Sequence, residues 1–169
     1  MDWQRIEGRA HRFGDHINTD QISPAQFMEL SNEEIAAHAM TGADADFPKK
    51  VRKGDIIVAG KNFGSGSSRE TAPLAIKECG VSLVIAEFFA RIFYRNCINI
   101  GLPALIVPDT SGIGDGDRLD VRLGEGIVLN LTTGGSRKCA PIPESIMELL
   151  NAGGLLQQME QKLQRRVGL

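Results

Sequence analysis

DIIVAGKNFGSGSSRE, residues 55–70, is the stretch from which the rest of the chain can be read. Asp55 to Ala59 is a short, nearly unbroken apolar run, the composition of a strand buried on both faces. GKNFGSGSSRE, residues 60–70, follows it directly with glycines, serines and an Arg-Glu pair. From Arg69 to Cys79 the spacing is helical: Ala72, Ala75, Ile76 and Cys79 share one face, and Gly80 stands where a C-terminal cap belongs. A strand that turns through glycines into a helix gathers backbone N–H groups and the positive helix end at one point, which suits an anion. The residue types rule out the nucleotide loops, because GxxxxGK[ST] is absent and Arg69 stands where GxGxxG needs its third glycine. Glu70 likewise breaks a GxSxG nucleophile elbow. A purely local reading also fits these residues, with the serines capping the helix and Arg69 paired to Glu70 or to solvent.

Outward from this loop the pattern repeats. SLVIA (82–86) reads as a strand, FFARIFYRNCI (88–98) as a helix ending before Gly101, and ALIV (104–107) as a third strand. Successive strand-helix-strand units predict parallel pairing with right-handed crossovers. Beyond Asp109, RLDVRL, GIVLNLT and SRKCAPI are short, alternating and separated by turn residues, which predicts a small antiparallel sheet. Residues 143–150 and 155–167 read as closing helices around Gly153 and Gly154. Upstream, Ser31 and Glu34 form a capping-box pattern opening a helix through Ile35 and Met40 to about Gly42, and residues 44–48 read as a loop. The expectation is one α/β domain over residues 1–169, built as β/β/α layers: a parallel central sheet, a smaller antiparallel sheet and a layer of helices.

The chain has 169 residues, a common length for a single domain, and its 19 Lys and Arg against 21 Asp and Glu leave a net charge of -2. That balance offers no basic footprint for nucleic acid or an anionic membrane. MDWQRIEGRAHRFGD lacks the apolar core of a signal peptide, and no run approaches the roughly 20 apolar residues that span a bilayer, so a cytoplasmic protein is expected. Cys79, Cys97 and Cys139 are odd in number and contain no CxxC, which argues against a disulfide framework or a complete metal site and for reduced, largely buried thiols. His11, His16 and His38 lack HxxxH or HExxH spacing and read as solvated or loop-stabilising. Phe88, Phe89, Ile92 and Phe93 read as core, and Arg91 and Arg95 as surface or interhelical pairing.

NTDQIS (18–23), GKNFGSGSSRE (60–70), FFARIFYRNCINIGLP (88–103) and AGG (152–154), in this order over nearly the whole chain, resemble the small subunits of 3-isopropylmalate dehydratase, the swivel-domain half of the aconitase superfamily. The resemblance implies a swivelling domain and a hydro-lyase that isomerises an alkylmalate by dehydration and rehydration. It places a [4Fe-4S] cluster on a separate large subunit, in a heterodimer or heterotetramer, with no metal bound by this chain alone. It implies Ser67 as the catalytic base, with Ser68, Arg69, Thr19, Asp20 and Ser23 binding the small dicarboxylate substrate. Arg69 offers a planar fork that matches a carboxylate. Relatives often carry an apolar residue where Ser23 stands.

Two positions depart from the family pattern. Thr71 stands where relatives usually have histidine after the SSRE glutamate, which implies a change beside the chemistry rather than in it. In the loop after Ser23, relatives read the substrate's variable group, typically with Tyr-Leu and two selective residues; this chain has Phe27, Met28, Glu29 and Leu30. PAQFMEL contains no cation, and Glu29 would repel a distal carboxylate. The expected substrate is therefore 3-isopropylmalate, in leucine biosynthesis. A methyl- or dimethyl-substituted malate is the near alternative, and a non-catalytic anion-binding or interaction module is the alternative of another class. Without its large subunit the chain would expose a surface on which a homodimer could form.

Overall fold

The computed structural model describes residues 3–167. In chain order its elements are β1 (Arg5–Arg12), α1 (Thr19–Ile22), a 3-10 turn (Ala25–Phe27), α2 (Asn32–Ala36), α3 (Phe47–Lys50), β2 (Ile56–Val58), α4 (Thr71–Glu78), β3 (Leu83–Ala86), α5 (Arg91–Asn99), β4 (Ala104–Ile106), β5 (Arg118–Arg122), β6 (Ile127–Asn130), β7 (Ser136–Lys138), α6 (Glu144–Ala152) and α7 (Leu155–Val167).

The strands form one mixed sheet in the order β4-β3-β2-β1-β5-β6-β7. β4, β3, β2 and β1 run parallel, and β1, β5, β6 and β7 alternate. β1 joins the two halves by dividing its length: Ala10–Arg12 pair with Ile56–Val58, whereas Arg5–Arg9 pair with Arg122–Arg118. The sheet curls at this strand. Because side chains alternate across a strand, Ile56, Val58, Leu83, Ile85 and Leu105 face one way and meet Leu119, Val121 and Val128 of the antiparallel half, with Met147 and Leu150 of α6 closing that core. Ile57, Ala59, Val84 and Ala86 face the other way, against Ala72 and Ile76 of α4 and Phe93 and Cys97 of α5. The expected β/β/α layering is present, and its two β layers are one sheet folded on itself.

β1 is absent from the sequence reading. Its outward Arg5, Glu7 and Arg9 are exposed and its inward positions are Ile6, Gly8 and Ala10, so only one large apolar residue marks the alternation. α2 is shorter than its capping box suggests. Ser31 and Glu34 do bond reciprocally, yet beyond Ala37 the chain is drawn to α1, where Met40 N donates to Ile22 O at 2.7 Å and Gly42 N to Gln21 O at 3.0 Å. The stretch read as a loop contains α3, because Phe47 is fully buried against the rings of His11 and Phe13. α4 begins at Thr71 rather than Arg69.

Phe88 and Ile92 are corrections to the sequence reading: Phe89 and Phe93 are buried with Phe63, but Phe88 is 58% and Ile92 45% exposed. The helix starts only at Arg91, after an extended Ala90, so Phe88 lies outside the helical face on which its spacing had placed it. Of the two readings for the histidines, His11 departs from the solvated one: it is buried and lies 2.7 Å from Asp55 Oδ2, which also accepts Arg52 N, so it braces that turn.

Candidate active site

β1, β2 and β3 all end at one edge of the parallel half, and the loops leaving their carboxyl ends continue to pair. Gly64 N donates to Ile17 O at 2.7 Å and Thr19 N to Ser65 O at 2.8 Å on one side; Phe63 N donates to Phe88 O and Ala90 N to Phe63 O on the other. The GKNFGSGSS loop is thus held as an extra, irregular strand between its neighbours, at the end of the sheet where open α/β folds place their sites. Two glycines make this path available. Gly64 has φ +82° and a Cβ there would collide with the Phe93 ring; Gly66 has φ +106° and lies against Thr19.

The path delivers Ser67 to α1. Thr19 Oγ1 and Ser67 Oγ are 3.0 Å apart, and Ser67 N donates to Thr19 Oγ1 at 3.2 Å. Thr19 is buried whereas Ser67 and Ser68 are exposed. α1 is fixed by its own capping box, Asn18 Oδ1 accepting Gln21 N and Gln21 Oε1 accepting Asn18 N, both at 2.9 Å. Arg69, half-buried, brings Nη1 to 2.7 Å from Asp20 Oδ1 and 3.4 Å from the Ser23 carbonyl. The local alternative for the loop is not what the residues adopt: α4 has Glu70 at its N-cap with no side-chain cap, and Arg69 pairs with Asp20 rather than Glu70.

Thr19, Asp20, Ser23, Ser67, Ser68 and Arg69 therefore lie together. The four loop residues do not share one environment. Phe27 lines an open concavity of about 540 Å³ with Asp20, Pro24, Ala25, Gln26, His38, Thr41 and Gly42. Met28 and Glu29 are exposed, and Leu30 packs onto a small cluster of Ile35, Ala39 and Ala75.

Sequence reasoning passed over Asn96, a buried residue of α5 whose Nδ2 donates to Ser68 O at 3.4 Å. A polar residue on the inward face of the FARI helix was the available signal. Thr71 Oγ1 is buried without a hydrogen-bond partner. Among the described residues no group of three His, Cys, Asp or Glu side chains could hold a metal ion. The cysteines are free, and burial raises all three thiols: Cys79 to about 11, Cys97 well above its ordinary value, Cys139 in the same direction. Cys79, Cys97 and Cys139 are not gathered with one another or with His, Asp or Glu into such a group, so the described side chains do not fit a cluster site.

The sequence pattern of the aconitase C-terminal domain family matches residues 7–109. A 3-isopropylmalate dehydratase small subunit of Archaeoglobus fulgidus is 56% identical over 154 residues, 90% of this chain and 93% of the relative. An isopropylmalate/citramalate isomerase small subunit of Methanocaldococcus jannaschii is 53% identical over 160 residues, 94% of this chain and 95% of the relative. The crystal structure of a 3-isopropylmalate dehydratase from Methanocaldococcus jannaschii superposes with a TM-score of 0.93 at 44% identity, over 97% of this chain and 98% of that one. The chain belongs to the family of 3-isopropylmalate dehydratase small subunits, within the aconitase C-terminal domain family.

Proposed function

We propose that this chain is the small subunit of a cytoplasmic hydro-lyase that interconverts 3-isopropylmalate and 2-isopropylmalate in leucine biosynthesis, with Ser67 as its base. The observation that carries the proposal is the pairing of Ser67 with Thr19 beside Arg69 on an exposed edge. Ser67 reacts as its alkoxide, its own proton having passed to solvent: Oγ takes the proton from the carbon next to a carboxylate while a double bond forms and hydroxide departs from the neighbouring carbon, and Oγ then returns that proton to the second carbon as hydroxide adds to the first, which restores the alkoxide. Thr19 Oγ1 accepts the Ser67 amide proton and lies 3.0 Å from Ser67 Oγ, so its hydroxyl is placed to donate to that oxygen when Ser67 is an alkoxide.

Arg69 binds a substrate carboxylate by exchanging Asp20 for it. Asp20 is 64% exposed in this ion pair, and an exposed pair contributes only about 0–1 kcal/mol, so the exchange costs little. Both contacts use Nη1, so the planar fork can turn to a bidentate partner while the Ser23 carbonyl steadies it. Ser68, beside it, donates to the same substrate. Ser67 and Ser68 are exposed. A water-free site therefore requires cover, and the large subunit, carrying the [4Fe-4S] cluster, supplies it in a heterodimer or heterotetramer.

The loop supports an alkyl substituent. No lysine or arginine lines the concavity, and Asp20 borders it; burying an unpaired distal carboxylate there would cost several kcal/mol. A second reading, a methyl-substituted malate, is favoured by the relative named for both isopropylmalate and citramalate. The test is to co-purify the chain with a large subunit and compare kcat/KM for 3-isopropylmalate, a methyl-substituted malate, homocitrate-type substrates and citrate. The alkyl substrates should lead, and Gln26→Arg, which puts a cation on the lining of the concavity, should shift the ratio toward those bearing a third carboxylate. Preferred turnover of citrate by the unaltered complex would contradict the loop reading.

A further inference from the structure

The concavity beside the site has a wall that the loop does not build alone. The rings of Phe27 and His38 lie face to face, centroids 3.6 Å apart and planes within 3°, and both residues line the cavity with Asp20. We infer that His38 is a positioning residue for substrate choice, holding Phe27 at the depth at which it meets the substrate's variable group. The inference rests on the functional reading above.

The two rings are unequally anchored. Phe27 ends a 3-10 turn in which no residue is buried, and it belongs to none of the apolar clusters of the domain. His38 sits on a braced segment: Ile35 and Ala39 on either side of it are buried against Ala75 of α4, its N–H donates to Ile35 O at 3.1 Å, and its carbonyl accepts Thr41 Oγ1 at 2.7 Å. α4 is the helix that opens just after the Ser67–Arg69 loop. A continuous line of packing thus runs from the reacting edge through α4 and Ala75 to His38 and then to Phe27. A flat ring stacked on a flat ring fixes both distance and tilt, which a flexible side chain at residue 38 would not do. Position 38 therefore tunes the size of the pocket without touching the reacting atoms.

The experiment uses the complex with the large subunit. His38→Ala should change the ratio of kcat/KM between 3-isopropylmalate and a methyl-substituted malate by about tenfold, the discrimination that roughly one methylene's misfit gives. The change should fall on KM, with kcat little altered, because Ser67 and Arg69 are untouched. His38→Phe keeps a flat ring and should restore the ratio. An unchanged ratio in His38→Ala, an equal loss of kcat on both substrates, or a failure of His38→Phe to restore it would overturn the inference. The isolated chain gives a reading free of activity: the His38 ring proton resonances should move in Phe27→Leu as the ring current is lost, and resonances that stay in place would mean there is no stack. If the unaltered complex turns over neither alkylmalate, the functional reading fails first and takes this inference with it.

Discussion

Thr19 and Ser67 stand 48 positions apart in the chain, yet their hydroxyl oxygens are 3.0 Å apart. The contact exists because β1 and β2 are parallel neighbours whose carboxyl ends open side by side, and because Gly64 and Gly66 let the second loop run against the first. Each motif is half of the proposed site. TDQI supplies the buried partner, and GSGSSRE supplies the exposed oxygen and the cation.

If the Thr19 hydroxyl stabilises an anionic Ser67 oxygen, Thr19→Val should lower kcat of the assembled enzyme by roughly 10²-fold, the usual effect of removing one positioned donor. Thr19→Ser, which keeps the hydroxyl, should recover most of it. Steady-state kinetics on 3-isopropylmalate decide this, and a Thr19→Val enzyme with unaltered kcat would remove Thr19 from the chemistry.

Gly64→Ala should be strongly destabilising. It forces a side chain into the left-handed region and drives a methyl into Phe93, two effects of about 1–3 kcal/mol each. Urea unfolding of the isolated chain should show a midpoint well below that of the parent. Gly134→Ala is the control, since it has a similar φ of +79° with open space around its Cβ, and it should lose only the backbone part.

Thr71 offers the opposite case. Its buried hydroxyl has no partner, so Thr71→Val, which conserves shape, should leave stability unchanged or raise it by up to about 1–2 kcal/mol. A marked loss in the same urea experiment would show that the hydroxyl is bonded in solution.

Cys79 sets an alkaline limit. Burial raises its thiol from the ordinary 9.0 to about 11, so between those values the folded chain holds a proton that the unfolded chain has released. Stability from this group is complete below pH 9 and is lost as pH rises toward 11, by roughly 2–3 kcal/mol in all. Cys79→Ala should flatten the fall measured by urea unfolding across that window; an equally steep fall would assign it to other groups.

The parallel half of the fold was legible because its strands are short apolar runs followed by glycine turns and amphipathic helices, a pattern that repeats. β1 was not, since a strand whose inward face is Ile6, Gly8 and Ala10 carries little hydrophobic signal and acquires its identity from the two partners it joins. The resemblance named Ser67, Arg69, Thr19 and Asp20. Residue types alone left an anion loop and a capped helix both open, because hydroxyls 48 positions apart carry no periodicity. Asn96 and the His38–Phe27 stack escaped for the same reason: each depends on a tertiary neighbour, Ser68 O in one case and a facing ring in the other.

Turnover of Ser67→Ala in the complex with the large subunit decides whether Ser67 is the base. With Ser67 as base, kcat on 3-isopropylmalate should fall by a factor on the order of 10²–10⁴ while substrate binding, read by competition with a non-reacting analogue, persists through Arg69. A Ser67→Ala complex that keeps the parent's kcat would place the base elsewhere, with Ser68 the next residue to replace.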